Sequence, residues 1–175
     1  MSKPFKEAFP TLQLDEELDN LLETTEVTKI SANHDHNHIR IYLRAKRLIF
    51  KKNIWKIEKA ILAQIFQNRD IKVKIIESFE LSEQYTPQSL MDVYRDSILA
   101  ELNAYSVLEY NLLRTATMEF DQPHHMLLTM DETIIAKTRT DEIVEFLEKV
   151  VCERCGMNLI IQTAFRKPQE SKYRK

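Results

Sequence analysis

Polar and apolar positions along this chain follow two periods, one helical and one extended, and the two succeed each other in a fixed order. In "LQLDEELDNLLETT", Leu14, Leu18, Leu21 and Leu22 recur at helical spacing, and "EVTKIS" follows as a strand. After a polar break, "HIRIYLR" alternates residue by residue. Ile39, Ile41 and Leu43 share one face, and His38, Arg40, Tyr42 and Arg44 share the other. These strands are predicted to form a hairpin closed over residues 32 to 37. Asn53 stands as an N-cap for "IWKIEKAILAQIF", whose Ile54, Ile57, Ile61, Leu62 and Ile65 form one apolar stripe. "IKVKII" then alternates as a third strand.

The same order recurs downstream. Thr86-Pro87 supplies an N-cap and an N1 proline for a helix reaching about Asn103. Ser106 and Glu109 frame a capping box for a short helix ending near Arg114. "TATMEF" reads as a strand, "DQPH" as a turn, and "MLLTM" as a strand with Met126, Leu128 and Met130 on one face. Thr138 and Asp141 are placed to cap "DEIVEFLEKVVCER", with the stripe Ile143, Phe146, Leu147, Val150 and Val151, and "NLIIQTAF" closes the set. Laid over each other at a near-constant offset, Ile39, Ile41 and Leu43 fall on Met126, Leu128 and Met130. Ile54, Ile57, Ile61 and Leu62 fall on Ile143, Phe146, Val150 and Val151, and Ile71 and Val73 on Leu159 and Ile161. The expectation is an α+β protein of two tandem helix-strand-strand-helix-strand units, each a three-stranded sheet with helices packed on one face. Residues 1–84 form the first unit, 85–166 the second, and 167–175 a linker toward further domains. The arrangement is type II KH-like, and the shared phase favours a divergent duplication.

Composition changes this picture mainly through glycine. The 175 residues contain one, Gly156, where an average chain has about 7%. A P-loop, a dinucleotide fingerprint and a glycine-rich kinase loop are therefore excluded. So is the GxxG clamp by which a KH domain grips a nucleic-acid backbone. Apolar residues at 43% suffice for a core, and a formal net charge of −2 gives no overall basic excess. With no apolar signal region, no membrane-length run and two cysteines, a cytoplasmic, disulfide-free protein is expected.

Few residues suggest chemistry. "NHDHNH" places His34, His36 and His38 on one side of an extended segment, as imidazole ligands of zinc or nickel would stand. The competing reading, an exposed hairpin tip in which Asn and Asp take the place of glycine, outweighs it. His124 and His125 occupy the corresponding turn. In "KRLIFKKN", Lys46, Arg47, Lys51 and Lys52 gather between strand and helix. With Arg40 and Arg44 they are the candidate contacts for nucleic acid or an acidic partner, against a solvated loop with Leu48, Ile49 and Phe50 tucked inward. Trp55 reads as core or interface edge. No carboxylates are paired as a metal-dependent nuclease or polymerase requires, and there is no GxSxG. An enzyme reading has no residues to rest on.

"CERCG" (152–156) resolves similarly. Redox CxxC pairs sit at helix N-termini, where the dipole stabilises thiolate, whereas Cys152 and Cys155 end a helix. Zinc would need two further ligands, for which His124 and His125 qualify only if their turn folds to the same end. Gly156 reads instead as the left-handed residue that stops the helix.

Over nearly all of its length the chain resembles the N-terminal region of the PolC-type DNA polymerase III alpha subunits, particularly those of clostridia. The stretches that carry the resemblance are "LDEELDNLLETTEVTKIS", "RLIFKKNIWKIEKAI", "ELSEQYTP", "EYNLLR", and "ERCG" followed by "ESKYRK". The resemblance implies a non-catalytic, cofactor-free module with no small-molecule substrate and no membrane. It would dock on replisome proteins such as a clamp-loader tau-type subunit or the primase–helicase components, while the exonuclease and polymerase domains that handle DNA lie downstream. The alternative is a KH-like module that binds single-stranded DNA or RNA through its basic patch.

Overall fold

A computed structural model describes residues 1–168; the expected linker from Gln169 onward, with "ESKYRK", lies outside the described residues. The chain is mixed α+β and divides into two units, Met1–Glu83 with Arg154–Gly156, and Gln84–Glu153 with the chain from Met157 onward.

The first unit runs β1 (Lys3–Pro4), α1 (Phe5–Ala8), α2 (Glu16–Leu22), β2 (Glu26–Ala32), β3 (His38–Ala45), α3 (Lys51–Gln64) and β4 (Lys72–Phe79). Its sheet has four strands in the order β1-β2-β3-β4 rather than three. The extra strand is the two-residue pairing of Lys3 and Pro4 with Val27 and Glu26, too short to show a sequence period. β2 and β3 are antiparallel with a bulge between Val27 and Lys29, and β3 and β4 are parallel. The hairpin tip is held by Asn33, whose Oδ1 accepts from the backbone N–H of Asn37 (3.0 Å) and His38 (2.9 Å). His36 there takes a left-handed φ of 55°, so the "NHDHNH" stretch does the work of a turn.

Period-two burial is clean. Ile41, Leu43, Ala45, Ile75 and Phe79 are buried on one face, with Leu18 and Leu22 of α2 and Ile54, Ile57 and Ile61 of α3. Burying each of the Leu, Ile and Phe side chains contributes about 1.5–3 kcal/mol. α3 begins at Lys51, not after Asn53. Phe50 occupies the N-cap position and its carbonyl accepts from Asn53 and Ile54, while fully buried Ile49 fixes the entry of the chain. Phe50 itself is half exposed, not tucked in. On the free side of β4, the Ile75 N–H donates to Glu58 Oε1 at 2.8 Å.

The second unit runs α4 (Pro87–Tyr105), α5 (Val107–Thr115), β5 (Thr117–Gln122), β6 (His125–Asp131), α6 (Ile134–Glu148), a π-helical turn (Lys149–Arg154) and β7 (Ile160–Arg166). The sheet order is β5-β6-β7, antiparallel then parallel. His38 faces Lys72 and His125 faces Ile160 as the first pairs of the two parallel ladders. Thr86 and Ser89 close a reciprocal capping box at α4, with Pro87 in the first turn. Ser106 accepts from the Glu109 N–H at 3.3 Å to start α5, while the Glu109 carboxylate lies 3.8 Å from Arg139. α6 starts earlier than Thr138. Thr133 caps it, accepting from the Ala136 N–H at 3.0 Å, and Thr138 lies inside the helix, donating to the Ile135 carbonyl. The earlier start extends the buried stripe to Ala136, Thr140, Ile143 and Leu147.

α6 does not run on regularly to Arg154 but widens into the π turn, and the Met157 N–H closes it on the Val151 carbonyl at 3.1 Å. Gly156 takes φ 67° just beyond, with open space where a Cβ would stand, so backbone conformation alone calls for glycine there. Among the described residues no helix is long and apolar enough to cross a membrane.

Candidate functional site

The alternation that buries one face of the first sheet turns a different set of side chains outward. Residues paired directly across strands point to the same side. Lys29 therefore stands beside Tyr42, Arg40 beside Lys74, His38 beside Lys72, and Arg44 beside Ser78. Lys29, Arg40, Lys72 and Lys74 are exposed, and Tyr42 and Ile76 are half-buried between them. The Lys29 ammonium sits over the Tyr42 ring, 5.5 Å from its centroid. Among the described residues no carboxylate is within ion-pair distance of these four cations.

Of the six residues expected as contacts, Arg40 lies on this face and free of such pairing. Arg44 lies there too, but Glu26 (2.6 Å) and Glu80 (3.4 Å) neutralise it. The Arg44 hydrogen bond holds the Glu26 carboxyl below its usual range, with nearby Lys46 adding to the effect. The exposed Arg47 guanidinium donates to the Asn20 carbonyl. Lys52 is exposed in the first turn of α3 and belongs to the helical layer. Lys51 cannot act at the surface. It is buried, with its Nζ 2.8 Å from buried Glu77, and Arg154 approaches the same carboxylate at 3.4 Å. At the first position of α3 the lysine stem points at the core, and the charge follows it.

Sequence reading missed Lys29, Lys72 and Lys74. Their signal was present in "TKIS" and "IKVKII", where lysines occupy alternate positions out of phase with the buried Ile75. An exposed cation–π contact is worth about 0.5–1 kcal/mol. A nucleobase stacked on a tyrosine gains about 1–3 kcal/mol. The flexible Lys29 therefore does not bar the ring to a planar guest.

In the second unit, Tyr105, Val107 and Leu108 stand exposed at the α4–α5 junction, and Ile134 and Ile135 at the start of α6. Arg139, one turn beyond Ile135, reaches both Glu109 and Glu142 (3.0 Å), linking α5 to α6. Burial, reinforced by the Glu142 charge, pushes the Glu109 carboxyl up. A polar groove of about 570 Å³ lies between α4 and β5, lined by Gln88, Met91, Asp92, Asp96 and Glu119 among others. Arg95 reaches from its wall to the carbonyls of Leu113, Arg114 and Ala116.

The histidines and cysteines are not gathered. His124 Nδ1 lies 3.0 Å from the Asn158 carbonyl, and His125 Nδ1 lies 2.8 Å from Asp121. Cys155 is buried, which pushes its thiol up to about 12, the opposite of a reactive thiolate. Among the described residues no three His, Cys, Asp or Glu side chains are placed to hold a metal ion.

No curated protein and no solved structure matches the chain. Residues 4–75, which span the first unit from β1 into β4 and carry the whole cationic row, match the family model described as DNA polymerase III polC-type N-terminus I. Residues 4–75 are thus similar to the N-terminus of PolC-type DNA polymerase III.

Proposed function

We propose that this region is a non-catalytic interaction module of the polymerase, acting in bacterial DNA replication by docking on another replisome protein. The observation that carries the reading is the exposed apolar set Tyr105, Val107, Leu108, Ile134 and Ile135 around the Glu109–Arg139–Glu142 ion pairs. Large apolar side chains exposed beside a polar network are the usual mark of a protein–protein contact. Both units are read as type II KH-like and as products of one duplication, a reading supported by their common helix-strand-strand-helix-strand order. The module is further taken to need no cofactor or metal and to work in the cytoplasm. The expected partners are a clamp-loader tau-type subunit or the primase–helicase proteins, with catalysis left to downstream domains.

The test is a pull-down of the purified segment with each purified candidate, repeated with Leu108→Glu and Ile135→Glu, whose folding is checked by circular dichroism. Retention of one candidate, lost in both folded variants, is expected. Retention of none, or retention indifferent to both substitutions, would overturn the reading.

A further inference from the structure

We propose that the outward face of the first sheet binds single-stranded DNA, with Lys29, Arg40, Lys72 and Lys74 on phosphates and Tyr42 as a base-stacking platform. This goes beyond protein docking and uses a different surface of the chain.

Three observations converge on it. The cations project from three adjacent strands on one face: Lys29 from β2, Arg40 from β3, and Lys72 and Lys74 from β4. A chain with a net charge of −2 has no general excess of cations, so four on one face that are in no ion pair among the described residues form a local concentration. Second, the spacing of the face is regular. Alternate residues along a strand repeat at about 6.6 Å and neighbouring strands at about 4.8 Å, which gives a lattice of charges suited to an extended polyanion. Third, the centre of the lattice is Tyr42 flanked by Ile76, not another charge. Every nucleobase has a face to stack on such a ring.

The single-stranded form follows from the central ring. A duplex hides its base faces and presents a convex backbone, so Tyr42 could not be used. Recognition of this kind does not depend on a GxxG loop, because the contacts come from side chains and not from close backbone approach. DNA is the source committed to, since the stretch that holds all five residues matches the family model of a DNA polymerase N-terminus.

The experiment is fluorescence anisotropy of labelled oligodeoxythymidylate with the full 175-residue chain across a salt series. Binding should weaken with salt, with a log–log slope of about −3, from four cations at roughly 0.7 per phosphate. Arg40→Glu and Lys74→Glu should each weaken binding at least tenfold and make the slope shallower. Tyr42→Ala should weaken binding several-fold with the slope unchanged, and Tyr42→Phe should restore it. If Tyr42→Ala fails to fold by circular dichroism, Lys72→Ala at the exposed start of β4 carries the test through the slope alone. Lys52→Glu, on the helical layer, should change nothing.

No binding at low salt overturns the proposal, as does a Tyr42→Ala variant that folds and binds normally. Tighter binding of the matching oligoribonucleotide, or of duplex DNA, overturns the assignment to single-stranded DNA. Displacement of the oligonucleotide by polyglutamate as readily as by unlabelled strand would reduce the face to a site for acidic proteins, and overturn it too. Because Leu108 and Ile135 are untouched in these variants, failure here leaves the docking test standing, and the reverse holds.

Discussion

Replacing Glu77 by leucine should be strongly damaging to the first unit, despite adding an apolar residue to a buried position. Lys51 Nζ lies 2.8 Å from the Glu77 carboxylate and Arg154 Nη1 3.4 Å, with the lysine and glutamate side chains only 6% and 2% exposed. At that separation the Lys51–Glu77 attraction is about 6 kcal/mol for an effective dielectric of ~20. Removing each ion from water costs several kcal/mol, so the intact pair sits near break-even against an apolar replacement. Glu77→Leu keeps the desolvation of two cations and removes a carboxylate that compensates it, a loss of about 3–5 kcal/mol. For a unit of this size that corresponds to a midpoint lowered by roughly 12–40 °C. Lys51→Met combined with Glu77→Leu should be markedly more stable than Glu77→Leu alone, although it carries one substitution more. Trp55, the single tryptophan, lies in α3 beside Ile54. Its fluorescence in urea titrations therefore reports the first unit separately. A loss below about 1 kcal/mol for Glu77→Leu, or a double variant that is merely additive, would refute the reasoning.

Four further outcomes are expected. Thr133→Ala should cost about 1 kcal/mol of stability and Thr138→Ala within about 0.5, because Thr133 is the residue that caps α6; urea titration by circular dichroism checks it. Gly156→Ala should cost about 1–2 kcal/mol and Gly156→Asn less, since an added Cβ meets nothing and only the φ of 67° resists it. Burial pushes the Glu58 carboxyl up, so the folded state holds its proton more tightly than the unfolded chain. That contribution is complete below the unfolded value and is lost as pH rises through the folded one. Glu58→Gln should thus stabilise at pH 7 relative to the parent and lose its advantage in acid, and a pH-independent difference in urea midpoints would contradict this. Finally, iodoacetamide at mildly alkaline pH should label the partly exposed Cys152 well before Cys155, as read by mass spectrometry, with the two equalised on unfolding.

The order of elements was legible because apolar phase is imposed by burial, and burial decides which face of each segment turns inward. Ile41, Leu43, Met126, Leu128 and Met130 are buried as the alternation requires. Helix starts were less legible. Asn53 and Thr138 have the right chemistry for caps, but Ile49 and Ala136 are buried upstream of them, and packing carried α3 and α6 past the polar signal. β1 was invisible because two residues have no period. The π turn escaped notice for a related reason: the stripe that ends in Val150 and Val151 is compatible with either winding. At the candidate site, clustering in sequence misled. Lys51 and Lys52 are adjacent yet one is buried and the other exposed, whereas Lys29, Arg40 and Lys74 are far apart in sequence and meet through the strand register.

The hydrogen bond from Ile75 to Glu58 also bears on how the protein behaves among its own copies. β4 is an outer strand, and an N–H on its free side would invite a strand from another molecule. Glu58 occupies the place of that strand's carbonyl and sets a carboxylate at the entrance. On the opposite margin β1 is two residues long and ends in Pro4, which has no N–H to offer. At these two positions the first sheet is guarded against pairing with a strand of another copy.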